Sequence, residues 1–154
     1  MVHWTQSNER QPRIAIIGAG MSGIAAVVKL RKAGYRKLAV YEKAEQVGGT
    51  WRANRYPGLS CDVPSHWYSF TFNPNPDWTH RFSYGPEIQA YMQATAEKFD
   101  VTPLVQFNTG VRALAYDEKG EDGPVWHLTT EHGDEEIYDI VISATGILLS
   151  LIHI

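Results

Sequence analysis

The chain has 154 residues, 44% of them hydrophobic and 20% charged, with a formal net charge of −3. That is enough for one domain with a sizeable core, and with both signs of charge mixed and no basic run, neither nucleic acid nor an anionic membrane is an expected partner. The lone Cys61 excludes an internal disulfide framework, the start Met1–Gln11 is polar, and no apolar run is long enough to cross a bilayer, so the expected location is cytoplasmic.

Residues 1–11 read as a disordered lead-in. Arg13-Ile14-Ala15-Ile16-Ile17 is a short apolar, β-branched run ending at a glycine, the pattern of a buried parallel strand. A helix is expected over Ser22 to Ala33, with Ile24, Ala25, Val27 and Val28 facing inward and Gly34 stopping it. Leu38-Ala39-Val40-Tyr41 is a second buried strand and closes a β-α-β unit. Residues 48–85 are loop-rich, and so long a loop in a compact domain points to function. Gly85-Pro86-Glu87 begins a helix with proline in its first turn, and Ile88, Tyr91, Met92, Thr95 and Phe99 share one face. Short strands are expected near 104–108, 111–117 and 125–130, and Glu136 to Ala144 reads as one strand returning to the parallel sheet. The fold class is α/β: a Rossmann-like domain with a parallel sheet and a small antiparallel β-meander over 104–138.

The chemistry begins at Gly18-Ala19-Gly20-Met21-Ser22-Gly23. G-x-G-x-x-G is weak alone, but here a strand precedes it and a helix follows it. Gly18 permits the tight turn, Gly20 lets backbone approach a pyrophosphate, and Gly23 lets helix and strand pack closely. Free N–H groups at the helix start, with the helix dipole, favour the phosphates. Glu42 stands at the end of the second strand, about 20 residues past the glycines, where a ribose-binding acid belongs. A carboxylate there would repel a 2′-phosphate, which favours FAD or NAD over NADP. A second glycine pair, Gly48-Gly49, followed by Thr50-Trp51, favours FAD.

These residues and those that follow carry a family resemblance. Gly49-Thr50-Trp51, Asn54-Arg55-Tyr56-Pro57-Gly58, Cys61-Asp62, Ser65 to Phe70, Glu87-Ile88-Gln89-Ala90-Tyr91 and Ala144-Thr145-Gly146 resemble flavin-containing monooxygenases of the Baeyer–Villiger type. The wording is similar to members acting on cyclohexanone or hydroxyacetophenone, and the likeness runs from Pro12 to Ile147. The resemblance implies an enzyme in which NADPH reduces FAD and the flavin then uses O2 to oxygenate a ketone, or nitrogen or sulfur in a related branch. The cofactor supplies the hard chemistry; protein supplies position, charge and dryness. Carried over residue by residue, Gly18, Ala19, Gly20, Met21, Ser22 and Gly23 take the FAD pyrophosphate. Glu42, with Lys43 beside it, takes the adenosine ribose, and Gly49, Thr50, Trp51, Arg52 and Ala53 line the flavin side. Cys61, Asp62 and Tyr68 lie along the cofactor, and Val111 meets adenine through its backbone. Asp62 is the candidate catalytic residue, orienting an arginine and the nicotinamide. Trp51, Tyr56, Trp67 and Tyr68 are candidates for walls of a closed site.

The family's second glycine loop, its NADPH fingerprint and a later arginine are not among these residues, so the chain alone is expected not to turn over NADPH. Residues 12–147 are expected to be a truncated FAD-binding domain and 148–154 a non-native tail. Leu149 to Ile154 is what a library-preparation transposon end encodes in frame; the alternative is a natural apolar terminal strand. A disulfide-reducing flavoprotein needs a cysteine pair that Trp51 and the solitary Cys61 do not provide. A plain NAD dehydrogenase fits the 48–85 loop poorly. A non-catalytic dinucleotide-binding module stays open, and a downstream G-x-G-x-x-G would favour the monooxygenase over it. His66, Asp77 and His80 lack regular ligand spacing, so no metal site is expected.

Overall fold

A computed structural model describes residues 11–120 and 123–147; the proposed tail and almost all of the lead-in lie outside the described residues. The elements run β1 (Ile14–Ile17), α1 (Met21–Lys32), β2 (Leu38–Tyr41), α2 (Thr50–Ala53), α3 (Gly85–Lys98), a 3-10 turn (Thr102–Leu104), β3 (Val105–Gln106), β4 (Val111–Asp117), β5 (Val125–Thr130), β6 (Glu135–Tyr138) and β7 (Ile140–Ser143). They form a four-stranded sheet, order β3-β2-β1-β7, and a three-stranded sheet, order β4-β5-β6. Every pairing in the first sheet is parallel and every pairing in the second antiparallel. The chain leaves β1 for β2 on one side and returns to β7 on the other, so the carboxyl end of β1 opens at a topological switch point, where ligands of such sheets bind.

Parallel strands covered on both faces need apolar side chains at nearly every position. Ile14, Ile16, Leu38 and Val40 meet Ile24, Val27 and Val28 of α1 and Ile88 and Met92 of α3 in one core. Ala15 and Tyr41 meet Leu128 and Tyr138 of the antiparallel sheet in the other. Helix α1 ends in a Schellman arrangement: Gly34, at φ +98°, donates to Arg31 O and Tyr35 donates to Leu30 O. Lys29, Arg31 and Lys32 occupy its last turn, where cations oppose the dipole.

Two expectations change. Val105–Gln106 is a two-residue parallel edge beside β2 rather than part of the meander; paired with Val40 and Tyr41, it is drawn to the open flank of β2. The segment 136–144 is two strands in different sheets. The break is at Asp139, whose carboxylate accepts the Arg13 N–H at 2.6 Å, while the N–H groups of Asp139 and Ile140 both turn to Arg13 O. That local lock ends the antiparallel run and starts the parallel one.

The 48–85 segment has little regular structure yet is packed. Leu59, Cys61, Phe70 and Trp78 are buried, and Phe70 and Trp78 both pack on the Tyr91 ring of α3. Ser65 ties it together: its Oγ accepts the Ser83 N–H at 2.7 Å, and its N–H donates to Arg81 O. Among the described residues no helix is long and apolar enough to cross a membrane.

Candidate functional site

The glycine loop lies between the end of β1 and the start of α1. Gly18 has φ +103°, and a Cβ there would stand 2.5 Å from Ala144 O. A Cβ on Gly23 would overlap Gly18 O, so the third glycine permits α1 to begin this close to the strand. Helix α1 has no side-chain cap and no acid in its first turn. Its first intrahelical bond is Ile24 N–H to Gly20 O, at 3.0 Å. The N–H groups of Met21, Ser22 and Gly23 precede it and therefore have no intrahelical acceptor, an arrangement suited to an anion.

Glu42 follows β2 directly and is 8% exposed. One carboxylate oxygen accepts the Ala19 N–H at 2.8 Å and the other accepts the Ala44 N–H at 3.0 Å. Its backbone is bound as well, N–H to Gln106 O and C=O from Thr109 N–H. Glu42 thus connects the glycine loop, the end of β2 and the segment leading into β4, whose first residue is Val111. A carboxylate has about four acceptor positions, so two backbone bonds leave capacity for hydroxyl donors. Lys43 is exposed beside it.

The second glycine pair completes the crevice. Gly48 donates its N–H to Ala19 O at 3.0 Å. Gly49, at φ +55°, faces Gly20 so closely that a Cβ on it would lie 3.1 Å from the Gly20 Cα. Thr50, Trp51, Arg52 and Ala53 form α2 immediately beyond. The Trp51 indole N–H donates to Tyr68 Oη at 3.0 Å, with the rings edge to face. Burial pushes the Tyr68 phenol above its ordinary value, with Cys61 and Asp62 adding to the rise and the Trp51 bond opposing it. Arg52 reaches Glu45 at 3.4 Å, but its Nε is buried without a partner.

Of the residues expected at the site, Gly18 to Gly23, Glu42 and Gly49 to Ala53 lie around one loop, with Tyr68 bonded to Trp51. Asp62 is exposed, and Cys61 is buried in the core with its N–H on Ser83 O. Of the four proposed wall aromatics, Trp51 and Tyr68 pair, whereas Tyr56 is 60% and Trp67 81% exposed. The Ser65 turn, in which Trp67 donates to Pro64 O, directs that indole outward.

A cavity of about 570 Å³ opens between α2 and α3, lined in part by Trp51, Arg52, Arg55, Tyr56, Tyr84 and Gln89. Sequence reasoning missed it, and missed Gln89 as a contact of the Gly48 turn; those partners are 42 residues apart and no spacing rule joins them. Among the described residues no three His, Cys, Asp or Glu side chains converge as a metal site would need.

Residues 16–88 match the NAD(P)-binding Rossmann-like domain family. The chain is 44% identical over 134 residues to a Baeyer-Villiger monooxygenase of Streptomyces coelicolor, covering 87% of this chain and 25% of that protein. The open crystal structure of cyclohexanone monooxygenase superposes with a TM-score of 0.82 at 33% identity, over 91% of this chain and 28% of that one. A structure described as OTEMO in complex with FAD and NADP superposes at 0.80 with 32% identity, over 90% and 26%. The chain thus spans about a quarter of the length of the relatives it matches.

Proposed function

The chain is Baeyer–Villiger monooxygenase-like over nearly nine-tenths of its length, and from that premise we propose that its glycine crevice holds FAD as part of an NADPH- and O2-dependent enzyme that inserts oxygen into ketones. The observation that carries this reading is Glu42. Its buried carboxylate is tied to Ala19 of the phosphate loop, so the acid and the loop present one surface to a dinucleotide. In that position it accepts ribose hydroxyls and repels a 2′-phosphate, which selects FAD over NADPH here. The close approach of Gly49 to Gly20 fits the same reading, because it narrows the groove to bare backbone.

The uncapped start of α1 binds the pyrophosphate through the Met21, Ser22 and Gly23 N–H groups. Val111 offers its backbone to the adenine. Thr50, Trp51, Arg52 and Ala53 line the flavin end, and the Trp51–Tyr68 bond fixes the indole there. Asp62 orients groups at the nicotinamide side. FAD, when bound, supplies the oxygen-activating chemistry; the chain's own residues bind it, orient it and exclude water.

Fluorescence titration of the purified chain tests the cofactor assignment. Saturable quenching of FAD, with NADPH binding at least tenfold weaker, is the expected result. Preference for NADPH would overturn it. The activity is tested, in a protein of the relatives' full length that carries this segment, by ketone-dependent NADPH oxidation and mass analysis of the oxygenated product.

A further inference from the structure

One side chain of α3 reaches back to the second glycine pair. Gln89 Nε2 donates to Val47 O at 2.7 Å. The carboxamide occupies the space over Gly48 that a Cβ would need. Gly48, at φ +127°, in turn donates to Ala19 O at 3.0 Å, and Gly49 presses on Gly20. A continuous path therefore runs from α3 through Gln89 and the Val47–Gly49 turn to the phosphate loop. The helix itself is anchored independently, by Ile88, Tyr91 and Met92 in the core. Gln89 Oε1 is buried with no hydrogen-bond partner, which is unfavourable for a group that only fills space. An apolar residue of the same size would fill the volume without that cost, so the donor function of the amide is what distinguishes this side chain.

We propose that Gln89 is a positioning residue for the dinucleotide site: it clamps the Val47–Gly49 turn against Ala19 and Gly20 and so sets the width of the groove. The proposal rests on reading that groove as the FAD site. It requires Gly48 as much as Gln89, because any side chain at 48 would displace the carboxamide.

The test compares wild type with Gln89→Leu, which keeps the volume and removes the donor, and Gln89→Glu, which sets a carboxylate against the Val47 carbonyl. FAD dissociation constants should rise about tenfold for leucine, the scale of one lost hydrogen bond, and further for glutamate. Amide hydrogen exchange on the FAD-free chain separates a local effect on the turn from a general loss of stability, while the FAD dissociation constant reads the effect on the site. The Gly48 N–H should exchange at least about tenfold faster in Gln89→Leu, while core-facing α3 amides such as Met92 keep wild-type protection. If the leucine variant unfolds, Gln89→Met carries the same comparison. Unchanged affinity together with unchanged Gly48 exchange would overturn the proposal. A wild-type chain that takes no FAD would instead overturn the cofactor assignment, and the exchange rates would still decide whether Gln89 holds the turn.

Discussion

Glu42→Gln is the most informative single perturbation, because the same carboxylate carries both a structural and a ligand argument. In the wild type each carboxylate oxygen accepts one backbone N–H, from Ala19 at 2.8 Å and from Ala44 at 3.0 Å. Glutamine keeps one oxygen and sets an NH2 against the other N–H, so one charge-assisted bond is lost and a buried donor is left unpaired. That loss is worth roughly 1.5–3 kcal/mol. For a chain of this size each kcal/mol moves the melting temperature by about 2–4 °C, so a fall of about 3–12 °C is expected in a thermal melt. FAD affinity should drop as well, and the preference for FAD over NADPH should narrow, because the charge that repels a 2′-phosphate is gone. A variant with wild-type melting temperature and wild-type cofactor preference would refute the reasoning on both counts.

Gly23→Ala drives a methyl into Gly18 O, backbone against backbone, and should cost at least about 1–3 kcal/mol of stability in a urea titration. Ser65→Ala leaves the buried Ser83 N–H without its 2.7 Å acceptor and should lower the unfolding free energy, measured by urea titration, by about 1–3 kcal/mol. Burial, with the 2.7 Å hydrogen bond shared with Tyr41, raises the Tyr138 phenol well above its ordinary value near 10. The folded chain therefore holds that proton more tightly than the unfolded chain. Its contribution is fully present below about pH 10 and is lost as pH rises beyond. Urea midpoints should hold from about pH 8 to about pH 10 and fall beyond it, and Tyr138→Phe should flatten that decline while lowering stability at neutral pH.

Much of the fold was legible because its signals are local. Apolar runs of four or five residues mark β1, which ends at Gly18, and β2, and the 3.6-residue spacing of Ile24, Val27 and Val28 marks α1. Gly34 ends that helix because the backbone there needs a positive φ. The glycine loop and Glu42 stood out for the same reason, since both lie within one β-α-β unit at the spacing that a dinucleotide site would need. The strand assignments after residue 104 were harder. A run such as 136–144 has the right composition throughout, and its division between two sheets depends on Arg13, more than a hundred residues earlier. Exposure of the aromatics was not legible either, because Trp51 and Trp67 differ in partner rather than in type: one finds Tyr68 and the other points outward.

The sequence by itself determined the Rossmann unit, the order of glycine loop and Glu42, and the likeness to Baeyer–Villiger monooxygenases, since each is written in contiguous residues or fixed short spacings. Tertiary structure alone decided that Glu42 binds the glycine loop, that Gly49 closes on Gly20, and that the Gln89 carboxamide bonds Val47 O over Gly48. Those contacts join segments separated by 23 to 42 residues, and they exist only once two helices and a parallel sheet have packed on a common core.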